Sequence, residues 1–191
     1  MTSMRIVGGD WRGRALEGPA DKSVRPTSDR VREALFNILA HNDFGAFTLE
    51  GARVIDLFAG TGALALEALS RGARFALLVD DSVESRAIIR RNVETLMATG
   101  VTKIWRRDAA DLGPMPGNAG GAFDLAFLDP PYRKGLLVPA LASLKSGGWL
   151  SSDAVIVCEM AADEPFDGAP GYKLADERAW GETKAAILRV G

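Results

Sequence analysis

The sequence predicts an α/β fold: a mostly parallel seven-stranded sheet with a C-terminal antiparallel hairpin, preceded by a small N-terminal basic extension. From about residue 50, continuously apolar runs alternate with amphipathic segments, the pattern of strands buried on both faces and joined by helical crossovers. The closing stretch, YKLADERAWGETKAAILRV, breaks that alternation and reads as two strands meeting at Trp180–Gly181. The first 32 residues differ again. They carry seven Lys/Arg (Arg5, Arg12, Arg14, Lys22, Arg25, Arg30, Arg32) against four acids, while the other 159 residues carry 16 bases and 21 acids. The net charge of −2 therefore conceals a basic arm on an acidic body, and such an arm can neutralise phosphates.

Taken in order, MRIVGGDWRGR has glycines separating short segments and suggests a small hairpin. RPTSDRVREALFNILAHN then begins a helix: Thr27 or Ser28 can cap it, Asp29 suits its first turn, and Val31, Leu35, Ile38 and Leu39 share a face. Arg30 and Arg32 lie off that stripe and are expected to face outward. ARVIDLF is the first strand, and ALALEALSRGA is a helix closed by Gly72. RFALLVD is the second strand, and SVESRAIIRRNVETLMATG is a helix ending at Gly100. TKIWRRD and FDLAFLD are the third and fourth strands. KGLLVPALASLKSGG holds a helix with Pro139 at its first turn or at a kink, and DAVIVCEM is the fifth strand. The expected division is an arm over 1–44 and a core over 45–191.

Composition removes several chemistries. No apolar run approaches the ~18 residues that span a membrane, and Met1 to Gly9 lack the apolar stretch of a signal peptide. The single cysteine, Cys158, lies inside an apolar strand, which excludes a disulfide framework and fits a reducing cytoplasm. With one histidine, His41, and one cysteine, a Cys/His zinc site cannot be assembled, and no metal is expected. Catalysis should instead run through carboxylates, backbone groups or a bound cofactor.

The candidate site residues lie at strand ends. In DLFAGTGALALEAL, Gly60 and Gly62 allow a tight turn and close approach of backbone N–H groups to a ligand. A dinucleotide fingerprint would place glycine at position 65, which here is Ala65. Asp56 before the glycines would repel a pyrophosphate but suit a cationic amine. Asp80 closes the second strand, where a carboxylate can accept both ribose hydroxyls; Asp81 is its competitor, directed to the opposite face. Asp108 closes the third strand, and its carboxylate or a neighbouring amide can read an adenine amino group. The fourth strand ends in FLDPPYRKG. Two prolines there fix the backbone after Asp129 and leave a carboxylate, free carbonyls and an aromatic ring on a rigid turn.

The spacing D-x-F-x-G-x-G from Asp56 resembles the first motif of class I S-adenosylmethionine-dependent methyltransferases, and Asp129-Pro130-Pro131-Tyr132 resembles the [DNS]-P-P-[YFW] motif of those that modify exocyclic or amide nitrogens. Nearly the whole chain resembles the bacterial 16S ribosomal RNA (guanine-N2)-methyltransferase family of the RsmD type. It does so through RIVGGDWRGR, RPTSDRVREALFNIL, DLFAGTGALALEALSRGA, LDPPYRKG and WGETK. The resemblance implies a Rossmann-like class I methyltransferase fold and S-adenosylmethionine as methyl donor. It implies cofactor contacts from Asp56, Phe58, Ala59, Gly60, Thr61, Gly62, Asp80, Asp108 and Ala109. Asp129, Pro130, Pro131 and Tyr132 would form the catalytic loop. The implied substrate is a guanine of 16S rRNA in the 30S subunit or an assembly intermediate, and the implied enzyme is a cytoplasmic monomer. Arg5, Arg12, Arg14, Arg25, Arg30 and Arg32 are the RNA-contact candidates, although some can instead brace the pocket or pair with body acids. Ala179-Trp180 departs from the tyrosine-glycine pair common in the family.

Three other readings use the same residues. An N6-adenine methyltransferase could employ the loop, although asparagine is common at its first position and about 45 residues before the core leave little room for a DNA-recognition domain. A glutamine-N5 methyltransferase would not need the basic arm. A non-catalytic ribosome-assembly factor would not need Asp-Pro-Pro-Tyr.

Overall fold

The computed structural model describes residues 4–19, 21 and 26–191. Among them, β1 (Arg53–Leu57), β2 (Phe75–Val79), β3 (Thr102–Trp105), β4 (Phe123–Leu128), β5 (Leu150–Ala161), β6 (Tyr172–Trp180) and β7 (Thr183–Val190) form one sheet. Its order is β3-β2-β1-β4-β5-β7-β6. The first five strands are parallel, β7 runs antiparallel to β5, and β6 runs antiparallel to β7. The fold class and the terminal hairpin are those the sequence predicts. Strand order reverses between β1 and β4, which opens a crevice at their carboxyl ends.

Among the described residues, four α-helices cover the sheet: α1 (Asp29–His41), α2 (Ala63–Ser70), α3 (Val83–Thr95) and α4 (Leu137–Ser146). Residue parity decides which face each strand residue serves. Val54, Leu78, Leu125, Phe127, Val155 and Val157 pack with α1, α2 and α3 in one cluster. Ile55, Leu77, Ala126, Leu128, Ile156 and Cys158 pack with Leu137, Ala140, Leu141 and Leu144 of α4 in the other. Both faces are dry, which is why the strands read as unbroken apolar runs. Pro139 sits in the first turn of α4, where its missing N–H costs nothing.

The arm is pinned to the α2 side. Ile6 N–H donates to the Arg14 carbonyl (2.9 Å) and Leu16 N–H to the Met4 carbonyl (2.8 Å), closing the hairpin suggested by its glycines. Ile6 and Leu16 join the same apolar cluster as Leu35, Phe36 and Leu39 of α1. The Glu67 carboxylate accepts the N–H groups of Val7 (3.0 Å) and Gly8 (2.8 Å). A Cβ on Gly9 would lie 1.9 Å from the Ser70 carbonyl oxygen, so only glycine permits this approach.

Arg32 requires a correction. It is fully buried: Nε reaches Glu67 (3.4 Å), Nη2 reaches Asp29 (2.9 Å), and further hydrogen bonds go to the carbonyls of Thr27 and Arg5. The buried stripe of α1 is Arg32, Leu35, Phe36 and Leu39: it keeps Leu35 and Leu39 of the stripe read from sequence and has Arg32 and Phe36 where that reading had Val31 and Ile38. Arg32 therefore braces the arm against α2 and cannot meet a polyanion.

Candidate active site

The loop after β1 alternates left-handed residues, with φ of 57° at Phe58, 60° at Gly60 and 79° at Gly62. Phe58, expected inside the strand, has turned out of it. Gly62 is the N-cap of α2, and a Cβ there would meet Leu78 Cδ2 at 2.9 Å, so its glycine serves helix–sheet packing. Gly60 has open space around it, with only the Phe58 carbonyl oxygen (3.9 Å) near an added Cβ. Its backbone therefore borders the crevice and a ligand can approach it. Thr61 is half-buried, and its carbonyl accepts from Asn92 Nδ2 (2.9 Å); Ala59 is buried.

Asp56 is 1% exposed, and its Oδ2 accepts the Ala65 N–H (3.2 Å). Ala65 thus contributes its backbone donor at the position where a dinucleotide fingerprint has glycine. Burial raises the Asp56 carboxyl well above the usual carboxylate range, and the charges of Asp129 and Asp80 add to this. Asp80 accepts Gly60 N–H on Oδ2 and Ser82 N–H on Oδ1, each at 2.9 Å, and so ties the glycine loop to the end of β2. Burial raises Asp80, while those two N–H groups pull it back. Asp81 is exposed. Asp108 lies three residues beyond the end of β3, is exposed, and closes a turn by accepting the Ala110 N–H at 2.9 Å. Ala109 beside it is buried.

These residues fit a cationic, ribose-bearing cofactor. Asp56 is a buried acid whose charged neighbours are also acids, so an ammonium would relieve it. Asp80 stands at the strand end beside backbone that a ligand can approach.

Asp129 follows β4 on the face carrying Phe127, with Pro130 buried, Pro131 exposed and Tyr132 half-buried. The Tyr132 hydroxyl pairs with Thr183 Oγ1 (3.1 Å). Arg133 has φ 60° and pairs with Asp163 (2.6 Å), which closes the loop. Tyr132 opens on a recess of about 450 Å³, lined also by Thr27, Arg30 and Val31 and by Trp180 and Thr183 of the terminal hairpin. A second recess, of about 340 Å³, is lined by Arg5, Arg12, Arg30, Asp29 and Glu33. Arg30 borders both. Arg5 is also paired with Asp29 at 3.4 Å. Arg14 is exposed and donates to the Thr95 carbonyl at the end of α3, outside both recesses. Arg25 lies outside the described residues.

Two participants escaped sequence reading. Ser28 caps α1 by accepting the Val31 N–H (3.2 Å), which leaves the Thr27 hydroxyl to reach Glu159 Oε2 (2.7 Å) and Asp129 Oδ2 (3.4 Å). Glu159, near the end of β5, is 1% exposed. The available signal was an acid ending the apolar run AVIVC. The Asp129 carboxyl is pushed up to about 6 by burial, offset in part by hydrogen bonds from Glu159 and Thr27. Among the described residues, no cluster of three or more His, Cys, Asp or Glu side chains is arranged to hold a metal.

A doubly covered parallel sheet, a glycine loop at the switch point and carboxylates along its carboxyl edge define a class I methyltransferase. The TrmN structure from Thermus thermophilus shares that fold, with a TM-score of 0.63, 18% identity and coverage of 84% of this chain and 48% of that one. The profile of the family described as conserved hypothetical protein 95 matches residues 4–189, and the chain belongs to that family. It is 37% identical to the ribosomal RNA small subunit methyltransferase D of Escherichia coli, over 95% of this chain and 94% of that protein. It is 33% identical to the enzyme of the same name from Haemophilus influenzae, over 93% of this chain and 89% of that protein. The solved structure of Escherichia coli yhhF superposes with a TM-score of 0.81 at 34% identity, covering 98% of each chain.

Proposed function

We propose that the protein transfers a methyl group from S-adenosylmethionine to the exocyclic N2 of a guanine in small-subunit ribosomal RNA. It would act as a cytoplasmic monomer on the 30S subunit or an assembly intermediate. The observation that carries the reading is the Asp129-Pro130-Pro131-Tyr132 loop at the switch-point crevice, opening on a recess bordered by Tyr132, Trp180 and the basic arm. Full-length similarity to enzymes named for ribosomal RNA methylation supports the substrate class.

The donor supplies an electrophilic methyl on a positively charged sulfur. Asp56 would neutralise its ammonium, and Asp80, with the open backbone at Gly60, would hold its ribose. Asp108 and the Ala109 amide would border its adenine. The target nitrogen is a weak nucleophile because its lone pair is delocalised into the ring. Ionised Asp129 would accept one N–H and the Pro130 carbonyl the other, returning electron density to nitrogen as the nitrogen–methyl bond forms and the donor's methyl–sulfur bond breaks, and Asp129 would take the proton that the methylated amine loses. Tyr132 and Trp180 supply aromatic faces for a base that has left its stack. Arg5, Arg12 and Arg30 would hold the flanking phosphates. Most of the rate enhancement is positioning.

The test uses radiolabelled S-adenosylmethionine with 30S particles from a strain lacking its own methyltransferase of this kind, followed by nucleoside mass spectrometry. N2-methylguanosine in the small-subunit RNA is the expected product. N6-methyladenosine would overturn the base assignment, label in protein would overturn the RNA substrate, and particle binding without any label would leave an assembly factor.

A further inference from the structure

β4 and β5 are parallel with Leu128 opposite Cys158, so the next residues in register are Asp129 and Glu159. Parity turns both toward the α1 face, with Phe127 and Val157. Asp56, at the end of β1, points to the same face as Val54. Glu159 Oε2 has the Thr27 hydroxyl at 2.7 Å. Its Oε1 is buried and, as an acceptor, has no hydrogen-bond donor among the described residues. Opposite Glu159, β7 offers only Ala185.

Among the described residues, the charged groups around Glu159 do not compensate it. Asp129 and Asp56 are acids. Arg32 of α1 is committed to Glu67 and Asp29, and the Lys184 ammonium donates to the Glu164 carbonyl. Two ionised carboxylates side by side here would leave one oxygen orphaned and two charges opposed. One proton between them removes both costs, because a protonated Glu159 turns the orphaned oxygen into a donor.

We propose that Glu159 is a positioning residue that carries the proton of a Glu159–Asp129 carboxyl pair and, with Thr27, keeps Asp129 ionised and aimed at the substrate amine. Burial raises both carboxyls, and the interaction between them splits the pair: a hydrogen bond from Glu159 pulls Asp129 back down, while the Asp129 charge and that same hydrogen bond push Glu159 further up. The inference rests on the reading of Asp129 as the amine acceptor.

The test compares wild type with Glu159→Ala, Glu159→Gln, Thr27→Val and Thr27→Ser, assayed on 30S particles lacking the modification from pH 5 to 9, with Asp129→Ala as reference. Glu159→Ala should lower kcat roughly 10- to 100-fold, the range for losing a hydrogen bond to a charged group, with cofactor affinity little changed. Glu159→Gln retains an N–H donor where the protonated acid has its O–H, and should recover at least tenfold of that loss. Thr27→Ser should likewise outperform Thr27→Val. The acid limb of the Glu159→Ala profile should move to higher pH than in wild type, because Asp129 loses a donor that favours its ionised form. Thermal unfolding separates this role from a structural one: Glu159→Gln should melt no lower than wild type at pH 8, where the wild type holds a buried titratable acid.

Wild-type kcat in Glu159→Ala would overturn the inference. So would glutamine no better than alanine, or an acid limb moving toward the ordinary carboxylate range, which would make Glu159 a charged neighbour and not a donor. These outcomes differ from failure of the proposed function. Turnover in Asp129→Ala near wild type would remove the acceptor itself. A wild-type product of N6-methyladenosine would change the base and leave the glutamine–alanine comparison decisive.

Discussion

Asp129→Asn should stabilise the protein while crippling it. The Asp129 carboxyl titrates near 6 in the folded protein against an ordinary 3.8. Between those values the folded chain holds a proton that the unfolded chain has released, so the contribution of Asp129 to stability falls as pH rises through that window and levels off above it. A shift of roughly two pH units at 1.36 kcal/mol each sets a ceiling of about 3 kcal/mol, shared between Asp129 and Glu159 because they titrate together. Asparagine carries no such penalty. For a chain of this size about 3 kcal/mol corresponds to roughly 6–12 °C in melting temperature, and local relaxation will reduce it. The assay is thermal unfolding of both proteins at pH 4.5, 5.5, 6.5 and 7.5. The variant's advantage should grow across the series and reach its plateau by pH 7.5. Methyl transfer should fall by about 100-fold, because asparagine still accepts an amine N–H but brings no negative charge to the nitrogen as it becomes positive. An asparagine variant less stable than wild type at pH 7.5, or a difference independent of pH, would refute the buried-acid argument.

Replacing Arg5, Arg12 and Arg30 together by alanine should weaken particle binding and flatten the dependence of log K on log[salt] by about 2, from ~0.7 per phosphate contact on single-stranded RNA; an unchanged slope would remove the arm from the RNA footprint. Arg32→Met should instead cost roughly 1–3 kcal/mol of folding stability, read by denaturant unfolding, because Asp29 and the Arg5 and Thr27 carbonyls lose their donor while Glu67 keeps Arg71 and the Val7 and Gly8 amides. Gly62→Ala should lower stability by about 1–2 kcal/mol from its left-handed φ, with a further loss from the 2.9 Å contact with Leu78, and calorimetry should show weaker cofactor binding.

The parallel strands were legible because burial on both faces leaves nothing polar until the chain reaches the crevice. VIDL, ALLV and LAFL each run apolar up to or around an acid at the sheet's carboxyl edge. The same signal overreached at β3. Arg106 and Arg107 extend the pattern toward Asp108, but the strand stops at Trp105, the edge of the sheet, where no further neighbour enforces pairing. β5 begins at Leu150, earlier than DAVIVCEM suggests, and its register against β4 shifts between the Phe123–Leu150 and Leu125–Val155 pairs, where β5 carries the extra residues. Arg32 was misread because a helical stripe is read from its apolar residues, and Val31 stood next to the arginine as the apolar alternative. Only the tertiary partner, Glu67 on α2, reveals that the guanidinium belongs inside.

Glu67 and Glu159 show what sequence alone could not separate. Both are acids inside apolar surroundings, and both are at most 1% exposed. Glu67 accepts from the backbone of Val7 and Gly8 and from the guanidiniums of Arg32 and Arg71, so both of its oxygens are occupied and its charge is matched. Such a residue holds the arm to the core, and its removal is felt as lost stability. Among the described residues, Glu159 has a single hydroxyl donor and faces two acids. A fold that can surround one buried glutamate with four donors, yet leaves another with one, tolerates the second at a cost in stability. That cost falls at the end of the strand beside Asp129, where a spare proton next to a carboxylate has a chemical use, and the two glutamates should therefore separate under mutation: Glu67→Gln lowers the melting temperature, and Glu159→Gln does not.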